Sequence, residues 1–241
     1  KGMSIPGGDN LTLAPSLTDS KILHGHRDLA IKVVLHGLTG PIDGKAYPGE
    51  MISMASNGDE WVAAVLSYIR NSFGNQMSFI AEEEVTRVRE ENADRKAPWT
   101  EAELHASVPQ VLPDRSRWKL SASHKPGDVG RAVDGDLKTR YTTGAGMRPG
   151  MWVEVELPEV TNVAGVILDA ATSKGDYPRG CEVQVSLDGK KWSKPIRKKE
   201  ERTPKITIEF PEQSARFVRV TQTGKHGLYW SIHDLNVLKA P

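Results

Sequence analysis

Between residues 151 and 223 four short segments, MWVEVELP (151–158), CEVQVSLDGKKW (181–192), KITIEF (205–210) and RFVRVTQT (216–223), alternate apolar with polar residues. A period of two sends one set of side chains to a core and the other to water, which only a strand can do. Several such strands at near-regular spacing, with an Asp188-Gly189 turn inside the second and no helix between them, predict an antiparallel sandwich or barrel. Residues 1–92 follow a helical period instead. RDLAIKVVLHG places Leu29, Val33 and His36 on one side, with Ile31, Val34 and Leu35 near them and Gly37 at the C-cap position. SNGDEWVAAVLSYIRNSFGN pairs Ser56 with Asp59 as a capping box, carries a stripe of Trp61, Val62, Val65, Leu66 and Ile69, and stops at Gly74. AEEEVTRVREENADRK puts its acidic residues first and its basic ones later, the order a helix dipole favours. Residues 93–117 include KAPWTEAELHASVPQVLPDR, with three prolines and no sustained period, and are expected to be a linker that packs on its neighbours. The chain is therefore expected to consist of a helical part (1–92), a linker (93–117) and an all-β domain (118–241).

Composition narrows the function. Lys and Arg number 32 against 31 Asp and Glu, so a net charge of +1 provides no field to gather nucleic acid or an anionic membrane. Cys181 is the single cysteine, which excludes an intrachain disulfide and a cysteine-rich zinc site. Alternation puts it on the face of Val183 and Val185, as a small buried hydrophobe. No run approaches the roughly 20 apolar residues needed to cross a bilayer. The start of the chain, KGMSIPGGDNLTLAPS, has no charged-then-apolar signal pattern and reads as the interior of a longer protein. G-x-S-x-G, G-x-x-x-x-G-K and H-E-x-x-H are all missing, so catalysis is not expected.

From Trp118 onward the motifs WKLSAS, AVDGDLKTRY, GMWVEVELP, YPRGCEVQVSLDGKKW, ARFVRVTQTG and YWSIHDLNV, in that order, resemble factor V/VIII C-type (discoidin) domains. The resemblance implies an eight-stranded jelly-roll β-sandwich, in bacteria often a carbohydrate-binding module. Tyr141 stands where the family commonly has tryptophan, and Cys181 where tyrosine is frequent. In AVDGDLKTRY, Asp134 and Asp136 flank Gly135 and Thr139 adds further oxygens, a set suited to calcium, with capping of a turn as the alternative. The resemblance implies a structural calcium completed by Asp234. For the ligand, a sugar needs an aromatic plate and hydrogen-bonding side chains on loops. TSKGDYPRG and TGKHGLYWS offer Lys174, Asp176, Lys225, His226 and Tyr229, whereas Trp230 is expected in the core.

The first half is similar to the C-terminal two thirds of a class I c-type cytochrome of planctomycete type, through KGM, LAPSL, VVLHGLTGPIDGKAYPGEM and DEWVAAVLSYIRNSFGN. That similarity implies Met51 as the distal haem ligand and Met54 as a residue of the haem pocket. Covalent haem c needs C-x-x-C-H, so either the attachment segment precedes Lys1, or the domain has lost haem, or haem binds without linkage. His36 at a helix end and the His24/His26 pair are weaker ligand candidates.

These expectations combine into the non-catalytic C-terminal part of a periplasmic or extracellular bacterial protein. Its discoidin domain would bind a glycan or cell-surface polysaccharide. Its cytochrome-like domain would exchange electrons with a redox partner or an upstream dehydrogenase domain. The alternative is a purely adhesive, carbohydrate-binding module with a haem-less helical spacer.

Overall fold

The computed structural model describes residues 12–18, 20–198 and 203–241. Near Val108 the chain divides into two compact units, one helical and one, Pro109–Ala240, built of strands.

The helical unit contains α1 (Lys21–His24), α2 (Arg27–His36), β1 (Leu38–Thr39), α3 (Asp59–Arg70), α4 (Glu82–Glu91), β2 (Trp99–Thr100) and α5 (Glu101–Ala106). Every residue of α2 from Asp28 to Leu35 is buried, because the helix lies between two apolar clusters. Ile31, Val34 and Leu35 join Val62, Leu66, Val85 and Val88. Leu29 and Val33 join Leu38, Trp99, Leu104 and Val108. A helix apolar around its circumference has to be enclosed in this way. Gly37 ends it with φ +85°, and a Cβ there would lie 2.3 Å from the Met51 carbonyl oxygen. Only glycine permits that crossing of chains.

Two local expectations are corrected here. Ser56 and Asp59 do not form a capping box: Gly58 is the N-cap of α3, and Asp59 instead accepts from Arg89 Nε (2.7 Å) and Thr86 Oγ1 (2.7 Å) of α4. The buried stripe of α3 is Val62, Ala63, Leu66 and Arg70, while Trp61 is exposed. The interval 93–117 is also not a plain linker. Thr100 and Glu103 cap α5 reciprocally, Trp99 pairs β2 with β1 through Leu38, and Leu104 and Val108 are buried in the helical unit. A Thr-x-x-Glu box supplies a helix start in a stretch too short for its apolar period to show.

The β unit contains β3 (Gln110–Val111), β4 (Lys119–Ala122), a 3-10 turn (Pro126–Ala132), β5 (Tyr141–Met147), β6 (Met151–Asp169), β7 (Cys181–Ser186), β8 (Ile196–Lys198), β9 (Lys205–Gln222), β10 (His226–Ile232) and β11 (Asp234–Lys239). Antiparallel pairing orders the larger sheet β3-β11-β6-β9-β7-β8, with β4 added on β6, and β5 pairs with β10 in the second sheet. The expected β-sandwich is present, with nine strands among the described residues where eight were expected. KITIEF and RFVRVTQT, read as separate strands, are two parts of β9. The β6–β9 ladder is interrupted after Glu156 and after Val163, where Pro158 and Pro211 have no N–H to donate, so both strands bend and continue. Alternation buries Val153, Val155, Val183, Val218 and Val220 against Tyr141, Met147, Trp230 and Ile232 of the second sheet. Trp230 is fully buried, and Cys181 is 1% exposed beside Val183, both as expected. No helix among the described residues is long and apolar enough to cross a membrane.

Candidate functional site

The two loops nominated for sugar binding are neighbours. Residues 170–180 and 223–231 run side by side, joined by Thr223 N–H to Gly180 O (2.9 Å) and Ser231 N–H to Asp176 O (3.0 Å). Contact is so close at Gly224 that a Cβ would sit 1.7 Å from Arg179 O, which restricts that position to glycine.

The nominated residues divide by task. Asp176 faces inward: Oδ2 accepts from Ser231 Oγ at 2.7 Å and lies 3.9 Å from Arg140 Nη1. It braces the loops through that oxygen. Lys174 and Lys225 are exposed and have no carboxylate partner among the described residues. His226 accepts Leu228 N–H on Nδ1 (3.1 Å) and leaves its other ring edge to solvent. Tyr229 is 46% and Leu228 45% exposed, an aromatic and an aliphatic surface on consecutive residues of β10.

Residues that the sequence reading passed over support this surface. His233 is buried; Leu137 O can only accept, so Nδ1 carries the proton (2.8 Å) and Nε2 accepts from Ser173 Oγ (2.9 Å). Ser173 Oγ then accepts from Arg140 Nη1. This chain ties the segment 137–140 to the loop 170–180. Arg140 lies within AVDGDLKTRY and Leu228 within TGKHGLYWS, so membership of those stretches was the available signal. Arg179 stacks over Tyr177 at 4.0 Å and holds the loop's own carbonyls, Tyr177 O (2.6 Å) and Gly175 O (2.9 Å). The arrangement offers an aromatic and an aliphatic surface together with hydrogen-bonding groups.

The acidic loop is organised as a turn. Asp134 Oδ1 accepts Asp136 N–H (2.9 Å), its Oδ2 accepts Thr139 Oγ1 (2.6 Å), and Asp136 Oδ1 accepts Lys138 N–H (2.9 Å). Those bonds, led by the Thr139 hydroxyl, hold the Asp134 carboxyl below its ordinary pKa. Asp234 is paired with Arg115 rather than turned to an open cradle. Among the described residues no three His, Cys, Asp or Glu side chains assemble into a metal-holding group. The carboxylates named for calcium are thus engaged within the turn and with Arg115.

In the helical unit the residues named for haem have the following surroundings. Met54 packs on the apolar cluster of α2 and α3, and its N–H donates to Val34 O at 2.9 Å. Met51 pairs with Leu38 through its backbone and is 39% exposed. His24 meets Asn75 Oδ1 (3.1 Å), His26 caps α2, and His36 stands edge-on to Trp99. Burial and the nearby Arg95 charge push the His36 pKa down. Covalent haem c requires two thiols and an imidazole near iron, and the one thiol, Cys181, is buried in the β unit. The expected electron-carrying domain has no support among the described residues.

Comparison with known proteins is confined to part of the chain. The F5/8 type C domain family matches residues 117–235. Among solved structures the chain is similar to CpGH89CBM32-5 of Clostridium perfringens, in complex with GalNAc-β-1,3-galactose (22% identity, TM-score 0.47, 53% of this chain and 99% of that one). It is similar to the family 32 CBM of C. perfringens NanJ, in complex with galactose (20%, 0.46, 55% and 100%). It is also similar to chitosan-binding module 1 of a chitosanase/glucanase from Paenibacillus sp. IK-5 (25%, 0.44, 49% and 92%). No curated protein matches the chain. The family match, the motif order and the antiparallel sandwich agree: residues 117–235 of this chain are an F5/8 type C domain.

Proposed function

We propose that the β unit binds a glycan or cell-surface polysaccharide through the paired loops 170–180 and 223–231, in a protein exported to where such polymers lie. One observation carries this reading: the loops chosen for sugar chemistry adjoin, and exposed Tyr229, Leu228, His226, Lys225 and Lys174 all lie on them. A pyranose stacks its C–H face on an aromatic ring and offers hydroxyls to flanking donors, so exposed apolar area next to polar side chains is what it needs. The helical unit enters as a spacer. An electron-carrying role has no support among the described residues and is not part of the proposal.

The test is a glycan array followed by titration calorimetry on the full chain, with galactose and GalNAc-β-1,3-galactose among the first probes. Saturable binding is expected, weakened about tenfold or more by Tyr229→Ala and less by His226→Ala, without loss of fold. Undiminished binding by both variants would move the site elsewhere.

A further inference from the structure

We propose that the Arg115 guanidinium is the cation that holds the Asp134–Thr139 loop to β11, and that the β unit needs no calcium there. The inference is independent of what the loops at 170–180 and 223–231 bind.

Arg115 precedes the family-matched residues 117–235, and its backbone is fixed from both sides. Before it, β3 pairs with β11 through Val111 and Leu238. Around it, Asp114 Oδ1 accepts from Ser116 N–H (2.9 Å) and Oγ–H (2.6 Å), and Trp118 N–H donates to Arg115 O (3.1 Å). From that base Nη1 donates to Asp234 Oδ1 and lies 3.3 Å from both Leu235 O and Asn236 Oδ1. Asn236 Nδ2 closes the set on Asp234 Oδ2 at 2.6 Å. On its other side Nη2 stands 3.7 Å from where a Cβ on Gly135 would be, so one guanidinium reaches from β11 to the tip of the acidic loop. The pair is well shielded, with Arg115 and Asp234 side chains 19% and 23% exposed.

A calcium ion collects six to eight oxygens from a flexible shell, whereas a guanidinium supplies directed N–H groups to carboxylate and carbonyl acceptors. Here those acceptors already face the arginine, and the carboxylates of the loop accept from Asp136, Lys138 and Thr139. A divalent ion at this place would meet a fixed positive charge within a few ångströms.

Thermal melts of the full chain in EDTA and in rising calcium test this directly. Wild-type Tm is expected to stay constant, while Arg115→Ala lowers the β-unit Tm by about 5 °C because Asp234 is left partly buried without its partner. Arg115→Lys, which keeps the charge and loses the fork, is expected to fall between them and carries the comparison should the alanine variant not fold. A wild-type Tm raised by calcium overturns the proposal, and so does an Arg115→Ala melt equal to wild type.

Discussion

The two units solve the same problem with different means. In the β unit, backbone groups pair along ladders, so the space between the sheets is filled almost wholly by apolar side chains, and polar residues gather at loops. In the helical unit the connections between helices leave carbonyls that no ladder reaches, and long polar side chains are drawn inward to meet them. Arg70 donates to Leu23 O (2.7 Å) and Ser78 O (3.0 Å). Lys32 Nζ donates to Ser107 O (2.9 Å) and Oγ (2.8 Å), and Arg89 holds Ala55 O (2.7 Å) and Asn57 O (2.8 Å). Buried charge in a chain of short helices is thus a consequence of unpaired backbone, and need not mark a cofactor.

That contrast predicts which substitutions and conditions act on which unit. Trp230→Ala empties the centre of the sandwich and is expected to cost the β unit about 4 kcal/mol, leaving the helical unit's own transition in place. Pulse proteolysis across a urea series, with mass spectrometry naming the surviving unit, reads this.

Alkali is expected to push the two units in opposite directions. Burial lifts the Tyr141 phenol from 10.0 to about 12, and its hydroxyl donates to His124 O at 2.7 Å. The unfolded phenol ionises first, so stability present below pH 10 is lost as pH rises towards 12, by at most about 3 kcal/mol at roughly 1.4 kcal/mol per unit. Burial instead presses Lys32 below 10.5, with Asp28 opposing. The unfolded lysine holds its proton longer, so the helical unit gains stability between that lowered value and 10.5. Urea midpoints at about pH 9 and about pH 11 that shift with the same sign in both units would break the contrast.

Arg70→Met is the smallest effect, about 2 kcal/mol on the helical unit, because Leu23 O is left buried without a donor. A midpoint equal to wild type in circular dichroism at 222 nm would mean that water satisfies this carbonyl.

Periodicity and turn chemistry carry far in this chain. The alternation of MWVEVELP and CEVQVS, the Gly37 helix stop and the burial of Trp230 and Cys181 all follow from which side chains water rejects, which is a local property of a segment. The loops 170–180 and 223–231 were recognisable by composition. Their contact was not, because it depends on β10 and β11 returning beside the end of β6. Asp176 and Asp134 show the limit most clearly: a carboxylate reads the same in sequence whether it waits for a ligand or accepts from Ser231 and Thr139. Arg115 lay in an interval without period, and only strand pairing between β3 and β11 brings it to Asp234, 119 positions away. What residue order determined by itself was the kind of element each segment forms, since hydrophobic burial has a period. Which charges meet, and hence whether a polar loop binds a ligand, a metal or its own chain, was decided by the tertiary structure, because electrostatic partners act through space and leave no period to read.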